Sequence, residues 1–233
     1  MQAEDRPIHF SAELLHLPCK HEVPVLQKLY FDLSQKREAA YDNTDFSVPG
    51  RFRFFSKRGA KNLSTLLFLP DRFVLAEEWV DIPLSDFLAK LEMAAGHAMD
   101  ALGIGFLPAH TTTMRTTFAL THFDDARQFL LDHVCKQEGR LSPHFQRPIA
   151  VGGLRLVFPE TPENRGAYNI IVESFRHSQN EVFVEVKGIF AQQRVMRDEL
   201  GRIAENFRAV REFIAGSIFP FLDQYDTPEK DWL

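Results

Sequence analysis

From Leu200 onward the chain repeats an apolar residue every three or four positions: Leu200, Ile203, Phe207, Val210, Ile214, Ile218 and Phe221. On a helix of 3.6 residues per turn these positions form one stripe, and Arg202, Glu205, Arg208, Arg211 and Glu212 fall on the other side. The pattern predicts a long helix over 197–225 whose stripe is buried against earlier strands. Gly216 and Pro220 predict a bend or stop near Phe219. Phe219, Phe221 and Leu222 would then reach beyond the sheet, as the part of the helix best placed to serve a partner.

Upstream, period-two alternation and turn residues place the other elements. A strand is expected over 8–15, a connector over 16–21, and a helix with Pro24 in its first turn and Val25, Leu26, Leu29, Tyr30 and Leu33 on one face. Residues 36–50 are polar, contain Pro49-Gly50 and read as a loop. Three strands in a meander follow at 51–56, 64–69 and 73–80. A helix then runs to about residue 102, with Asp81 placed to cap it, Pro83 in its first turn and Gly103 to stop it. The order recurs: a strand at 111–120, a helix at 123–136 with Asp124 and Asp125 in its positive first turn, and strands at 153–158, 168–176 and 181–190.

Each half therefore reads β-α-β-β-β-α, offset by about 103 residues. The expected halves are 1–105 and 106–233, joined as one compact unit. The expected fold is α+β: about eight strands in an antiparallel-rich sheet, covered on one face by helices and closed by the long C-terminal helix. Val182, Val184 and Val186 alternate with Phe183, Glu185 and Lys187, and Met114 and Phe118 with Thr113, Arg115 and Thr117. One sheet face is thus expected to be apolar and covered, the other mixed and wet.

Composition narrows the class without naming a function. Apolar residues make up 45% and charged residues 25%, as in an ordinary globular protein, and the 22 Phe predict a core rich in ring contacts. A net charge of -5 argues against broad attraction to nucleic acid or membranes while allowing a local basic patch. No run approaches a membrane span, residues 1–6 are charged with no apolar leader, and two cysteines suit a reducing, cytoplasmic setting.

Three groups of residues could carry chemistry. Arg115 and Arg155, with Glu185 and Lys187, belong to the mixed sheet face; they could hold an anionic ligand, but the plainer reading is a solvated face whose arginines pair with its glutamates. Phe175 and Phe183 on that face hint at a partner. Arg51, Arg53, Lys57, Arg58 and Lys61 interleave with Phe52, Phe54 and Phe55, a combination that can bind nucleic acid. In a strand, however, Phe52 and Phe54 point into the core and the cations are solubilising charges. His16, Cys19 and His21, with His133 and Cys135, include zinc-ligand types, but the spacing matches no known finger or knuckle. They read more simply as a buried thiol and surface imidazoles. No phosphate loop, nucleophile elbow or paired-His helix is present. No catalytic residue, metal or cofactor is expected.

The order of elements resembles an uncharacterised, sporadically distributed family of bacterial α+β proteins of about this length. The likeness rests on the meander and helix at 51–102, on Thr113-Met-Arg115 running into the helix at 123–134, and on the strand at 182–186 followed by the helix at 200–219 with Phe207 or Phe213 midway. Phe118 stands where the family pattern has Asn, and Glu185 and Lys187 where it has a pair of Asp. The resemblance implies the fold and no reaction. The leading expectation is a non-enzymatic interaction or assembly protein, self-associating or a subunit of a complex. The alternatives are an RNA-binding module using the basic hairpin and an anion binder using the sheet face.

Overall fold

A computed structural model describes residues 6–39 and 41–228. Met1–Asp5, part of the charged start read from the sequence, lie outside the described residues. The alternating segments assemble into a single sheet of nine strands, and every neighbouring pair is antiparallel. β1 (Arg6–Leu15) lies in the middle. On one side of it come β5 (Arg72–Glu78), β4 (Asn62–Leu69), β3 (Arg51–Arg58) and β2 (Asn43–Val48); on the other, β7 (Ala109–Ala119), β10 (Glu181–Phe190), β9 (Ala167–Ser174) and β8 (Gly153–Phe158). The sheet is continuous across the β1–β7 pair, where Phe10 faces Met114 and Ala12 faces Thr112.

Eight strands were expected and nine form. The extra strand, β2, lies in the segment read as a polar loop. An edge strand needs only one neighbour, and apart from Phe46 and Val48 β2 is polar, so its sequence carries little strand signal. A further two-stranded ribbon, β6 (Phe106–Leu107) with β11 (Val195–Met196), is too short for periodicity to reveal.

The helices form the second layer. α1 (Val23–Ser34), α2 (Leu84–Leu102), α5 (Gly201–Phe213) and α6 (Phe219–Asp223) cover the same sheet face. Tyr30 of α1 packs on Phe54, Phe219 of α6 on Phe118, and Phe87 of α2 and Phe207 of α5 on Phe10. Phe10, Phe87 and Phe207 close a three-ring cluster with centroid separations of 5.4, 6.1 and 5.2 Å, all in tilted or edge-on geometry. α2 and the last helix also meet through Arg197, which forks onto the Asp100 carboxylate at 3.0 and 3.1 Å. Gly96 permits this, since a Cβ there would lie 2.7 Å from the guanidinium carbon.

Two helix boundaries differ from expectation. Asp81 does not cap α2; Pro83 is its N-cap residue, without a side-chain bond. Gly103 ends α2 as expected, in the left-handed conformation with its N–H on Met99 O. In the next helix, α3 (Ala126–Gln128) running into a π-helical turn over Phe129–Val134, Asp125 is the N-cap and accepts from the Arg127 and Gln128 N–H groups. The short helix α4 (Leu141–Phe145) lies in the loop before β8.

The C-terminal helix is segmented: a 3-10 turn over Arg197–Glu199, then α5, a π-helical turn over Ile214–Ile218, and α6. Pro220 explains the widening. It lacks an N–H and its ring crowds the carbonyl four residues back, and the wider turn, in which Phe219 N–H reaches Ile214 O, relieves both. The expectation that this end projects beyond the sheet is corrected. Phe219 and Leu222 are buried, Phe221 packs on Tyr225, and Asp226 receives the Thr121 and His122 N–H groups at 2.7 and 2.9 Å. Apolar side chains three or four apart continue the stripe around the bend, so the end is core.

A buried ion pair interrupts the core. Lys90 of α2 donates to Glu77 Oε1 at 2.7 Å and to Ser64 Oγ at 2.5 Å, Ser64 donates to the same carboxylate at 2.7 Å, and the ammonium lies 4.6 Å from the Tyr41 ring centre. Burial depresses the Lys90 pKa and the Glu77 carboxylate opposes that shift. No helix among the described residues is long and apolar enough to cross a membrane.

Phe207→Ala is expected to lower unfolding stability by ~3–5 kcal/mol in urea titration, because the ring is fully buried; a loss below ~1 kcal/mol would mean the stripe is not core. Lys90→Met alone is expected to cost ~3–5 kcal/mol by stranding Glu77, and Lys90→Met with Glu77→Leu far less. Equal losses for the single and double variants in the same titration would contradict this account of the pair.

Candidate functional site

The face turned away from the helices carries the odd-numbered residues of the central strands. Across one row the register reads Arg155, Ile171, Glu185, Arg115, His9 and Glu78. Arg115 Nε bonds Glu185 Oε2 at 2.6 Å. One row along, Lys187 lies 3.5 Å from Glu13, which also accepts from Thr111 at 3.3 Å. Arg115 pairs with Glu185 as the plainer reading would have it, and Lys187 pairs with Glu13. Arg155 shares the row but stands three strand spacings from Arg115, roughly 14 Å. The two arginines do not converge on one small anion. Phe175 and Phe183 stack on each other, rings 13° apart, rather than standing free.

Toward β3, β4 and β5 this face carries an apolar cluster among polar and charged neighbours. Phe55, Leu63, Leu67, Val74 and Ala76 occupy it, half-buried by one another, and no described helix crosses them. Arg51, Lys57 and Lys61 are exposed along this side, Arg58 alternates onto the covered side beside Glu77 and Lys90, Arg53 lies 4.4 Å from the Phe55 ring centre and 3.8 Å from Asp45, and Lys61 sits over Trp79. Phe52 and Phe54 are core, and of the interleaved aromatics Phe55 shares the open face with Arg51, Arg53 and Lys57.

The two sheet edges differ in kind. β2 is polar, bonds Ser47 to Asp45, and shifts register between Asp45 and Val48, a bulge of the sort that keeps edges from pairing. β8 is regular and apolar except for Arg155. Leu156 is 41% exposed, Val157 62% and Phe158 46%. Among the described residues β8 has a strand neighbour on one side only.

At the opposite end of the sheet, the connector after β1 forms a small knuckle. His16 N–H bonds Asp71 O and Cys19 N–H bonds Pro70 O, both at 2.9 Å, clamping it to the β4–β5 turn. One imidazole nitrogen of His16, one of His21 and Cys19 Sγ lie within 4.8 Å of one another. The imidazoles are not on the surface, as the sequence suggested: His16 is 4% and His21 7% exposed. Burial, and secondarily His16, lower the His21 pKa, and burial raises that of Cys19. Cys19 and His21 line a cleft of about 820 Å³ with Glu22, Phe46, Pro49 and Phe52. His133, on the π-helical turn beside β8, and Cys135, just past it, are not part of the cluster.

The sequence reading missed the Lys90–Glu77–Ser64 network and the free edge. The first had a signal: Glu77 follows Phe73 and Leu75 on the covered face of an alternating strand, and Lys90 falls between Phe87 and Leu91 in an apolar stripe. The second had none, because edge position is a property of sheet order. Compared with known proteins, the chain matches no protein-family model and no curated protein. The bacterial family named above stays a likeness in element order.

Burial lowers the pKa of His9, beside Arg115, and of His110, near Arg202, from 6.5 to about 4 in each case. Between about pH 6.5 and about 4 the unfolded chain binds these two protons and the folded chain does not, so folding stability falls as the pH drops through that window. The loss approaches ~3 kcal/mol per histidine. Urea midpoints measured from pH 7.5 to 4 are expected to show this slope; a flat profile would contradict the burial of both rings.

Proposed function

We propose that the chain is a non-enzymatic assembly protein that acts as a homodimer, two copies joining through β8. The observation that carries this reading is the exposure of Leu156, Val157 and Phe158 on a regular, unbulged edge. Such an edge is a template for another strand. Sheet order adds support. From each edge region inward the strands run β3-β4-β5-β1 and β8-β9-β10-β7, which is what the halves 1–105 and 106–233 would give if they are copies of one unit. In the first half β2 covers β3; in the second no described strand covers the corresponding β8. A second β8 supplies the missing cover.

Symmetry fixes the register. About a twofold normal to the sheet, facing residues share a face, so a residue must oppose its own copy. Centring on Arg155 would set two guanidinium groups opposite each other, which is unfavourable. Centring on Leu156 sets Leu154 against Phe158 and Arg155 against Val157, and it continues the row of Leu154, Leu156 and Phe158 from one copy into the next. The paired charges of the outer face then serve to keep that face wet and unpaired.

Light scattering on the eluting protein is expected to give a dimer mass that Leu156→Arg reduces to the monomer without changing the circular dichroism spectrum. Leu156→Cys is expected to crosslink to its own copy on mild oxidation, and Val48→Cys on the other edge is not. A monomer at every accessible concentration would sink the proposal.

A further inference from the structure

We propose that His16, Cys19 and His21 bind one divalent ion of the zinc class, with a fourth coordination position open to the adjoining cleft. The site is built before any ion arrives. Backbone bonds to Pro70 and Asp71 fix the connector, and ring packing fixes the imidazoles: His16 stacks on Phe73, and His21 lies against Phe52 and Phe68. Those contacts restrict both rings to a narrow set of orientations. Rigid ligands bind with less ordering cost than mobile ones.

The hydrogen-bond inventory points the same way. Leu17 O lies 2.8 Å from His16 Nδ1; the tautomer that donates there leaves a lone pair on Nε2. That Nε2 is buried with no hydrogen-bond partner, and so is Nε2 of His21. Two imidazoles in contact, beside a thiol, leave two buried ring nitrogens unanswered. A tetrahedral zinc ion with nitrogen and sulfur ligands sets those atoms roughly 3.3–3.6 Å apart. One nitrogen of each imidazole and Cys19 Sγ already lie within 4.8 Å of one another, and small side-chain rotations close the set.

The donor set selects the ion. Two imidazoles and a thiolate suit zinc and cobalt(II), whereas magnesium and calcium require oxygen. Three protein ligands leave a place for water or a small ligand, as in zinc sites that are not purely structural. The cleft of about 820 Å³ that Cys19 and His21 line gives that place access. The site lies at the other end of the sheet from β8 and does not depend on dimer formation.

The experiment is a cobalt(II) titration of the chelator-treated full chain, followed by back-titration with zinc. The expected result is one ion per chain, with tetrahedral ligand-field absorption and a thiolate-to-cobalt charge-transfer band, both bleached by zinc. Cys19→Ser should remove the charge-transfer band and weaken binding by more than the roughly 10–100-fold that loss of an outer-shell partner costs. Cys135→Ser should change neither. Zinc should also slow alkylation of Cys19 and raise the melting temperature, and magnesium should do neither, which tests the site even if a histidine variant fails to fold. Absence of cobalt binding, or binding that Cys19→Ser leaves intact, overturns the proposal.

Discussion

The contact of Phe10 with Phe87 and Phe207 is the point on which the architecture turns. Phe10 sits on β1, at the middle of the sheet, between β5 on one side and β7 on the other. Phe87 comes from α2, which follows β5, and Phe207 from α5, which follows β10 and β11. The three rings tie both helices to the seam between β1 and β7. Arg197 on Asp100 repeats the tie at the surface, where solvent makes it weaker.

That placement has a consequence for the other face. With α1, α2, α5 and α6 all drawn to one side, the opposite face must be made tolerable to water by its own side chains. At the centre this is done by paired charges, Arg115 with Glu185 and Lys187 with Glu13. Toward β3 to β5 it is done by apolar side chains that shield each other and are rimmed by cations. A sheet of this kind, unlike a barrel, still has two ends, and here they are treated differently. The bulged, polar β2 resists pairing; the regular, apolar β8 invites it.

The knuckle at His16, Cys19 and His21 shows how a local sequence acquires chemistry from distant residues. Its spacing alone matches no known metal motif. What gathers the three side chains is the clamp to Pro70 and Asp71 and the packing against Phe52, Phe68 and Phe73, all more than thirty residues later in the chain. The same holds for Lys90, whose partners Ser64 and Glu77 lie on neighbouring strands.

The amino-acid sequence by itself determined the element types, the alternation that makes one sheet face apolar, the stop at Gly103 and the stripe through Phe207. These follow from local periodicity and backbone preference, which act within a few residues. Tertiary structure alone decided the strand order, the ninth strand, the burial of Phe219 and Leu222, the pairing of Arg115 with Glu185, the exposure of β8 and the meeting of His16, Cys19 and His21. Each of these depends on which segments become neighbours, and that is settled by long-range packing of apolar surface rather than by any local pattern. The long C-terminal helix marks the boundary between the two: its stripe and the interruption near Pro220 were legible residue by residue, but the burial of Phe219 and Leu222 beyond it was not.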